Sequence, residues 1–166
     1  YAKENGKDLS FGLHFDIVDG LHPLGNNSSG LLNGQGVCRD SNAQRIRALC
    51  CAIPSKAIVS ELDAQLSMMI DNGITVSHVD SHGHLHKFPW IVAAMRPVLK
   101  RYSISRLRIP QNIHFSGHMS RVVLNKFCAS FFYGFQTAGQ LYCIDADRTK
   151  WVPALFKAMD GSICEL

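Results

Sequence analysis

Four of the eight histidines in this chain lie within the eleven residues from Val76 to His86. They occupy positions 78, 82, 84 and 86, and an aspartate occupies position 80, so all five positions have the same parity. In an extended strand that parity would direct the five side chains to one face. Imidazole and carboxylate groups at this density are typical of a metal site.

Only neighbours in this row can share one site, because residues 78 and 86 would lie roughly 26 Å apart in an extended strand. Residues 74–79 are predicted to form a buried strand, and Gly83 is the expected break at its end. We therefore expect Asp80, His82 and His84 to project into a pocket at the carboxyl end of this strand. That is where α/β folds place their chemistry.

The surrounding segments alternate between strand and helix patterns. Strands are predicted over residues 9–18, 74–79, 105–110, 141–144 and 162–166, and helices over residues 55–72, 90–102, 118–133 and 151–159. Ser55 is the predicted N-cap of the first helix, Gly73 follows its end, and Pro97 is expected to kink the second. Residues 19–42, rich in Gly, Asn and Ser, are predicted to be a long surface loop. The alternation predicts an α/β fold with a parallel sheet, either open or closed into a barrel.

Length and composition favour one domain over residues 1–166, since 46% apolar residues suffice for a sizeable core. No run of about 18 apolar residues is present, so no membrane span is predicted. The formal charge of +4 comes from scattered basic residues, which does not predict nucleic-acid binding. The six cysteines have no C-x-x-C spacing, which indicates reduced thiols and a cytoplasmic setting.

Four segments, in the same order along the chain, resemble the YdjC-like carbohydrate deacetylases, a family that includes the chitooligosaccharide deacetylases. They are Gly12-Leu13-His14-Phe15, the loop with His22-Pro23-Leu24, the block from His78 to His86 ahead of Phe88-Pro89, and Arg106-Leu107-Arg108-Ile109-Pro110. The resemblance implies a distorted (β/α) barrel. It also implies metal-dependent removal of N-acetyl groups from amino sugars or chitooligosaccharides.

The resemblance further implies a metal site. The family's ligands are an aspartate of an Asp-Asp-Phe-Gly motif, the histidine of the Gly-Leu-His segment and the first histidine of the Asp-Ser-His segment. The two histidines carry over to His14 and His82. Neither the Asp-Asp-Phe-Gly motif nor the family's later His-Pro pair occurs at its place in these 166 residues. We therefore expect a barrel incomplete at both ends, with the catalytic base and acid outside this chain.

Amide hydrolysis needs a polarised carbonyl and a nucleophilic water, and a divalent ion such as magnesium or zinc supplies both. Asp80 is predicted to contact the metal ligands without binding the ion and so to help fix the geometry of the site. Arg108 is predicted to bind substrate oxygens or a carboxylate that supports the metal ligands, with a surface salt bridge as the alternative. His84 and His86 are predicted to contact an acetylated amino-sugar substrate, with packing as the alternative for both. The remaining histidines, His78, His22, His114 and His118, are predicted to be structural, loop or helix-end residues.

Two other functions stay open. The segment Asp80-Ser81-His82-Gly83-His84 also matches the D-x-H-x-H start of phosphoesterase and amidohydrolase barrels, which are other metal-dependent hydrolases. A catalytically silent sugar- or metal-binding domain is the third hypothesis, and it applies if the chain is natively this short. A homo-oligomer is expected where apolar strands at the chain's ends need cover.

Overall fold

Three parallel strands form the main sheet of the computed structural model, which describes residues 10–109, 119–137, 140–141 and 164–165. The strands are β1 (Phe11–Phe15), β2 (Val76–Ser81) and β3 (Arg106–Leu107), in the order β1-β2-β3. Phe15 pairs with Ser81 and Val79 pairs with Leu107, so the three carboxyl ends lie at one edge. The parallel pairing confirms the predicted α/β class.

Helices make the connections between these strands. They are α1 (Ser41–Leu49), α2 (Ser55–Asp71), α3 (Pro89–Arg101) and α4 (Met119–Ala129), and short 3-10 segments occur at Ser28–Leu31, His82–Lys87 and Ser130–Phe132. The chain passes through α1 and α2 between β1 and β2, and through α3 between β2 and β3. Crossover helices of this kind are what parallel neighbours require.

The core lies between the sheet and the apolar faces of α2 and α3. Ile58, Leu62 and Leu66 of α2 are fully buried, which confirms the helical stripe predicted for residues 55–72. They join α3 residues and strand residues in one apolar cluster that includes Met95, Leu99, Phe15, Val79 and Leu107. Burial of this cluster fixes the sheet against the two helices.

The end of α2 agrees with its predicted signals better than its start does. Gly73 follows the helix with a φ of 77°, the left-handed conformation that glycine adopts without a Cβ penalty. Ser55 was predicted to be the N-cap, but it is the first helical residue and Pro54 holds the N-cap position. Proline has no side-chain acceptor, so this helix start lacks a side-chain cap hydrogen bond.

Helix α1 was not predicted. Its buried positions include Gln44 and Ala48, whereas Ile46 and Leu49 are exposed. The apolar periodicity that identifies a helix is therefore missing from its packed face. The helix begins at an Asp40 cap, whose carboxylate accepts hydrogen bonds from the next two available amides, those of residues 42 and 43.

The histidine-rich segment, residues 76–86, forms a strand only as far as Ser81. From His82 the chain turns into the 3-10 segment, in which Gly83 and His84 have φ values of 61° and 53°. The break at Gly83 is confirmed. The alternation of side chains that a strand would impose therefore stops before His82, and the five polar side chains do not share one face.

Further strands are short. A parallel bridge joins Arg106 to Gln136, and β4 (Gln140–Leu141) pairs in parallel with β5 (Cys164–Glu165). The predicted helix over 151–159, like His114 and His118, lies outside the described residues. Across the described part of the chain, no helix combines the length and the apolar content that a membrane crossing needs. Closure of the sheet into a barrel stays a prediction.

Candidate metal centre

Polar side chains from all three strands meet at the carboxyl edge of the sheet. His14 near the end of β1 pairs in register with Asp80 on β2, and His14 Nδ1 lies 2.7 Å from Asp80 Oδ1. The second carboxylate oxygen, Asp80 Oδ2, lies 3.3 Å from Nη1 of Arg108, which follows β3. Asp80 therefore links residues at the ends of both neighbouring strands.

The turn after β2 brings His82 to the other side of His14. His82 Nδ1 lies 3.3 Å from His14 Nε2, and the planes of the two rings are 84° apart. The second ring nitrogen, His82 Nε2, lies 3.2 Å from Asp19 Oδ2. Each imidazole thus has a carboxylate on its outer nitrogen and the other imidazole at its inner nitrogen.

The carboxylates decide which nitrogen of each neutral ring carries the proton. An ionised carboxylate only accepts hydrogen bonds, so with both rings neutral His14 would donate through Nδ1 to Asp80 and His82 would donate through Nε2 to Asp19. The inner nitrogens, 3.3 Å apart, then both carry lone pairs. Two lone pairs at this distance repel each other, and a cation held between them would relieve that repulsion.

The residues present fit part of a metal site. The 3.3 Å between the two inner nitrogens is close to the spacing of two ligand atoms on one zinc ion, whose bonds to imidazole are about 2.0–2.1 Å long. The side chains of His14 and His82 are 54% and 44% exposed, so solvent can reach them. Within the described residues no group of three or more His, Cys, Asp or Glu is arranged to hold an ion, so other positions would fall to water, substrate or residues not described.

His86 does not join this open cluster, because it is fully buried. Its Nε2 lies 2.9 Å from the Arg108 carbonyl, its Nδ1 lies 2.6 Å from Ser81 Oγ, and its backbone amide donates to the same hydroxyl. Burial lowers its pKa to about 3, so the ring is neutral. Of the two alternatives for His86, the placement favours packing over substrate contact.

The other predicted positions lie around the cluster. His84 is half-buried in the turn, and burial, with the nearby Arg108 charge, lowers its pKa. His78 lies on the same sheet face as Asp80, over Gly12 of β1, and its Nδ1 is 2.9 Å from Ser77 Oγ. Arg108 forms an ion pair with the Asp80 carboxylate, and the two side chains are 21% and 20% exposed. The roles assigned to these residues stay predictions.

Sequence reasoning missed Asp19. It follows the predicted first strand and precedes Gly20. The backbone of Asp19 is left-handed, with a φ of 52°. The Ser41 hydroxyl and backbone amide both donate to its carboxylate, and these hydrogen bonds lower the pKa of Asp19, so the group is ionised. An aspartate followed by glycine at a strand end was the available signal, and it also describes an ordinary turn.

The fold and the cluster together define an α/β protein with a histidine and carboxylate site at the carboxyl ends of its strands. A family model described as YdjC-like protein matches residues 1–161, so the chain belongs to that family. This agrees with the resemblance seen in the sequence motifs.

Curated relatives of this chain are named carbohydrate deacetylase. One from Brevibacillus brevis is 30% identical over 103 residues, which cover 62% of this chain and 39% of the relative. One from Halalkalibacterium halodurans is 26% identical over 58% of this chain and 40% of the relative, and one from Mus musculus is 28% identical over 60% and 33%. The matched regions thus span two fifths or less of these relatives.

A solved structure shares the fold. It is a crystal structure of an Enterococcus faecalis V583 protein provisionally described as a cellobiose-phosphate cleavage protein, with a TM-score of 0.69 at 14% identity. The alignment covers 98% of this chain and 60% of that one. At this identity the similarity supports the α/β architecture and nothing about chemistry.

Proposed function

We propose that this chain carries the metal-binding part of a carbohydrate deacetylase, which removes N-acetyl groups from amino sugars or chitooligosaccharides. The names of the curated relatives support the reaction class. The observation that carries the proposal is the pair of facing imidazole nitrogens, 3.3 Å apart, each ring braced by a carboxylate. This arrangement supports a metal-assisted hydrolysis, because two imidazoles braced by carboxylates could hold a divalent ion.

His14 and His82 would hold the ion, and Asp80 and Asp19 would hold the two rings in the required tautomers. When bound there, a divalent ion supplies the polarised carbonyl and the activated water that amide hydrolysis needs. Imidazole ligands favour zinc, because magnesium prefers oxygen ligands. We keep magnesium as the alternative that a metal titration decides.

Arg108 is positioned to act on the substrate side of the site. Arg108 follows β3, and its guanidinium contacts the Asp80 carboxylate of β2. This contact lies at the edge of the sheet where the side chains of His14 and His82 are exposed to solvent. We propose that Arg108 orients substrate oxygens there, with His84 of the neighbouring turn as a second contact.

We further propose that the sheet belongs to a distorted (β/α) barrel. The bridge from Arg106 to Gln136 supports this, since it adds the next chain segment beside β3.

The test is acetate release from N-acetylated chitooligosaccharides by the protein purified at its full natural length and supplied in turn with zinc and magnesium. We expect the wild type to release acetate, His82→Ala to lose at least about 100-fold in kcat/KM through loss of a metal ligand, and His22→Ala to match the wild type. His22 is the matched control, because it is an exposed loop histidine.

Two outcomes would overturn the proposal. One is an absence of acetate release by the wild type with every metal tested. The other is hydrolysis of phosphate esters without acetate release, which would support the phosphoesterase alternative instead.

A further inference from the structure

Asp19 is a residue of the cluster that the sequence motifs did not identify. Its carboxylate reaches His82 from the loop after β1, whereas the other histidine is braced by Asp80 from within the sheet. The loop is itself fixed at this point, since the Asp19 amide donates to the Arg39 carbonyl at 2.9 Å and the next amide donates to the Cys38 carbonyl.

The start of helix α1 orients the Asp19 carboxylate. The Ser41 backbone amide donates to Oδ1 at 2.8 Å, and the Ser41 hydroxyl donates to Oδ2. Each carboxylate oxygen therefore has a donor from one residue, which fixes the plane of the carboxylate. The same oxygen that accepts the hydroxyl also faces His82 Nε2 at 3.2 Å.

We propose that Asp19, held by Ser41, is the positioning residue that keeps the proton of His82 on Nε2 and so leaves the Nδ1 lone pair facing His14. This inference rests on the proposed function, since it assigns the geometry of the same metal centre. Helix α1, which the sequence did not predict, would then help to orient a metal-binding histidine through its first residue, Ser41. Asp19 acts through His82 and is not itself placed on the ion or the substrate.

Asp19→Asn tests the proposal because it changes one donor and acceptor pattern while keeping the shape. Asparagine tolerates the left-handed backbone of position 19 as aspartate does. With the amide oxygen kept opposite the Ser41 backbone amide, the amide nitrogen would face His82 and donate to Nε2. The His82 proton would then move to Nδ1, the nitrogen that faces His14.

The first readout is the tautomer of His82 in metal-free protein, measured by long-range proton–nitrogen NMR at about pH 8, above the ordinary pKa of free imidazole. We expect the Nε2–H tautomer in the wild type and a substantial Nδ1–H population in Asp19→Asn. The second readout is zinc affinity by calorimetric titration, which we expect to fall roughly 10- to 100-fold in the variant, as for other outer carboxylate partners of metal-binding histidines.

Two further variants complete the experiment. Ser41→Ala removes the hydroxyl donor but keeps the backbone donor, so we expect a smaller loss of zinc affinity in the same direction; this variant also serves if Asp19→Asn does not fold. Asp71→Asn is the matched control, because Asp71 is exposed at the end of α2.

An unchanged His82 tautomer in both site variants would overturn the inference, as would a loss of zinc affinity equal to that in Asp71→Asn. The failure of the proposed function would look different. In that case the wild type would show the Nε2–H tautomer and its dependence on Asp19, but would bind no metal and release no acetate.

Discussion

The imidazole of His86 joins the ends of β2 and β3 inside the core. Its Nδ1 accepts from the Ser81 hydroxyl, and its Nε2 donates to the Arg108 carbonyl. Because both nitrogens of this buried ring have hydrogen-bond partners, the ring is protonated more readily in the unfolded chain than in the folded protein. This neutral state makes the stability of the protein dependent on pH.

We expect the free energy of unfolding to fall as pH drops from about 6.5 towards about 3. Burial lowers the pKa of His86 to about 3, whereas a histidine in an unfolded chain titrates near 6.5. Between these values the unfolded state binds a proton that the folded state does not, so acid favours unfolding by up to about 1.4 kcal/mol per pH unit. Urea denaturation at several pH values measures this slope.

His86→Gln provides the comparison. Glutamine can still donate to the Arg108 carbonyl but has no titratable group, so we expect this variant to be less stable at neutral pH and to depend less on pH in the acid range. His22→Gln, at an exposed position, should retain the wild-type slope. Equal slopes for the wild type and His86→Gln would show that His86 does not carry the effect.

The sequence predicted the site residues that lie on the strands or directly after them, and it missed Asp19, which lies in a loop. His14, Asp80 and Arg108 come together because parallel strands place their carboxyl ends at one edge, a rule that applies without knowledge of loops. Asp19 depends on the course of the loop after β1 and on the start of α1. The burial of His86 depends on the turn at Gly83 and on the carbonyl after β3, and no local pattern predicts a contact of that kind.

At the level of elements, the close contact of β1 and β2 depends on a glycine. The His78 ring lies over Gly12 so closely that a Cβ on this glycine would come within 2.2 Å of His78 Nε2. The two positions are paired in register, so an added Cβ would force the His78 ring to move. Gly12 is therefore required by a side chain on the adjacent strand and not by its own backbone conformation.

We expect Gly12→Ala to destabilise the fold by about 1–3 kcal/mol, the usual range for overpacking. The double variant with His78→Ala should recover much of that loss, because the clashing ring is gone. Thermal or urea denaturation of both single variants and the double variant measures the coupling. Gly34→Ala is the control, since an added Cβ there meets nothing within 4 Å; additive effects of Gly12→Ala and His78→Ala would contradict the contact.

The elements that the sequence predicted best are those with an apolar face. Helix α2 shows its buried stripe openly in Ile58, Leu62 and Leu66. It also carries a buried carboxylate, Glu61, which accepts hydrogen bonds from the amides of Leu24 and Gly25 and so ties the loop after β1 to the helix. Helix α1 packs through a glutamine and an alanine, which is why periodicity of apolar residues could not find it.

At the scale of the molecule, the described fold is a parallel α/β unit whose histidine and carboxylate side chains meet at one edge. The chain belongs to the YdjC-like family, and the matched regions span two fifths or less of the curated deacetylases compared with it. Two histidines face each other in the part that is described, and a complete catalytic site needs further groups. The claim that this edge binds a metal ion is therefore the one on which the account depends.

Calorimetric titration of zinc into metal-depleted protein tests that claim most directly. The account predicts a single bound ion per chain in the wild type and in His22→Ala, and affinities lower by more than about 100-fold in His14→Ala and His82→Ala. The two site variants should weaken binding to a similar degree, because each removes one of the facing nitrogens. Binding of the same strength and stoichiometry in all four proteins would contradict the metal centre.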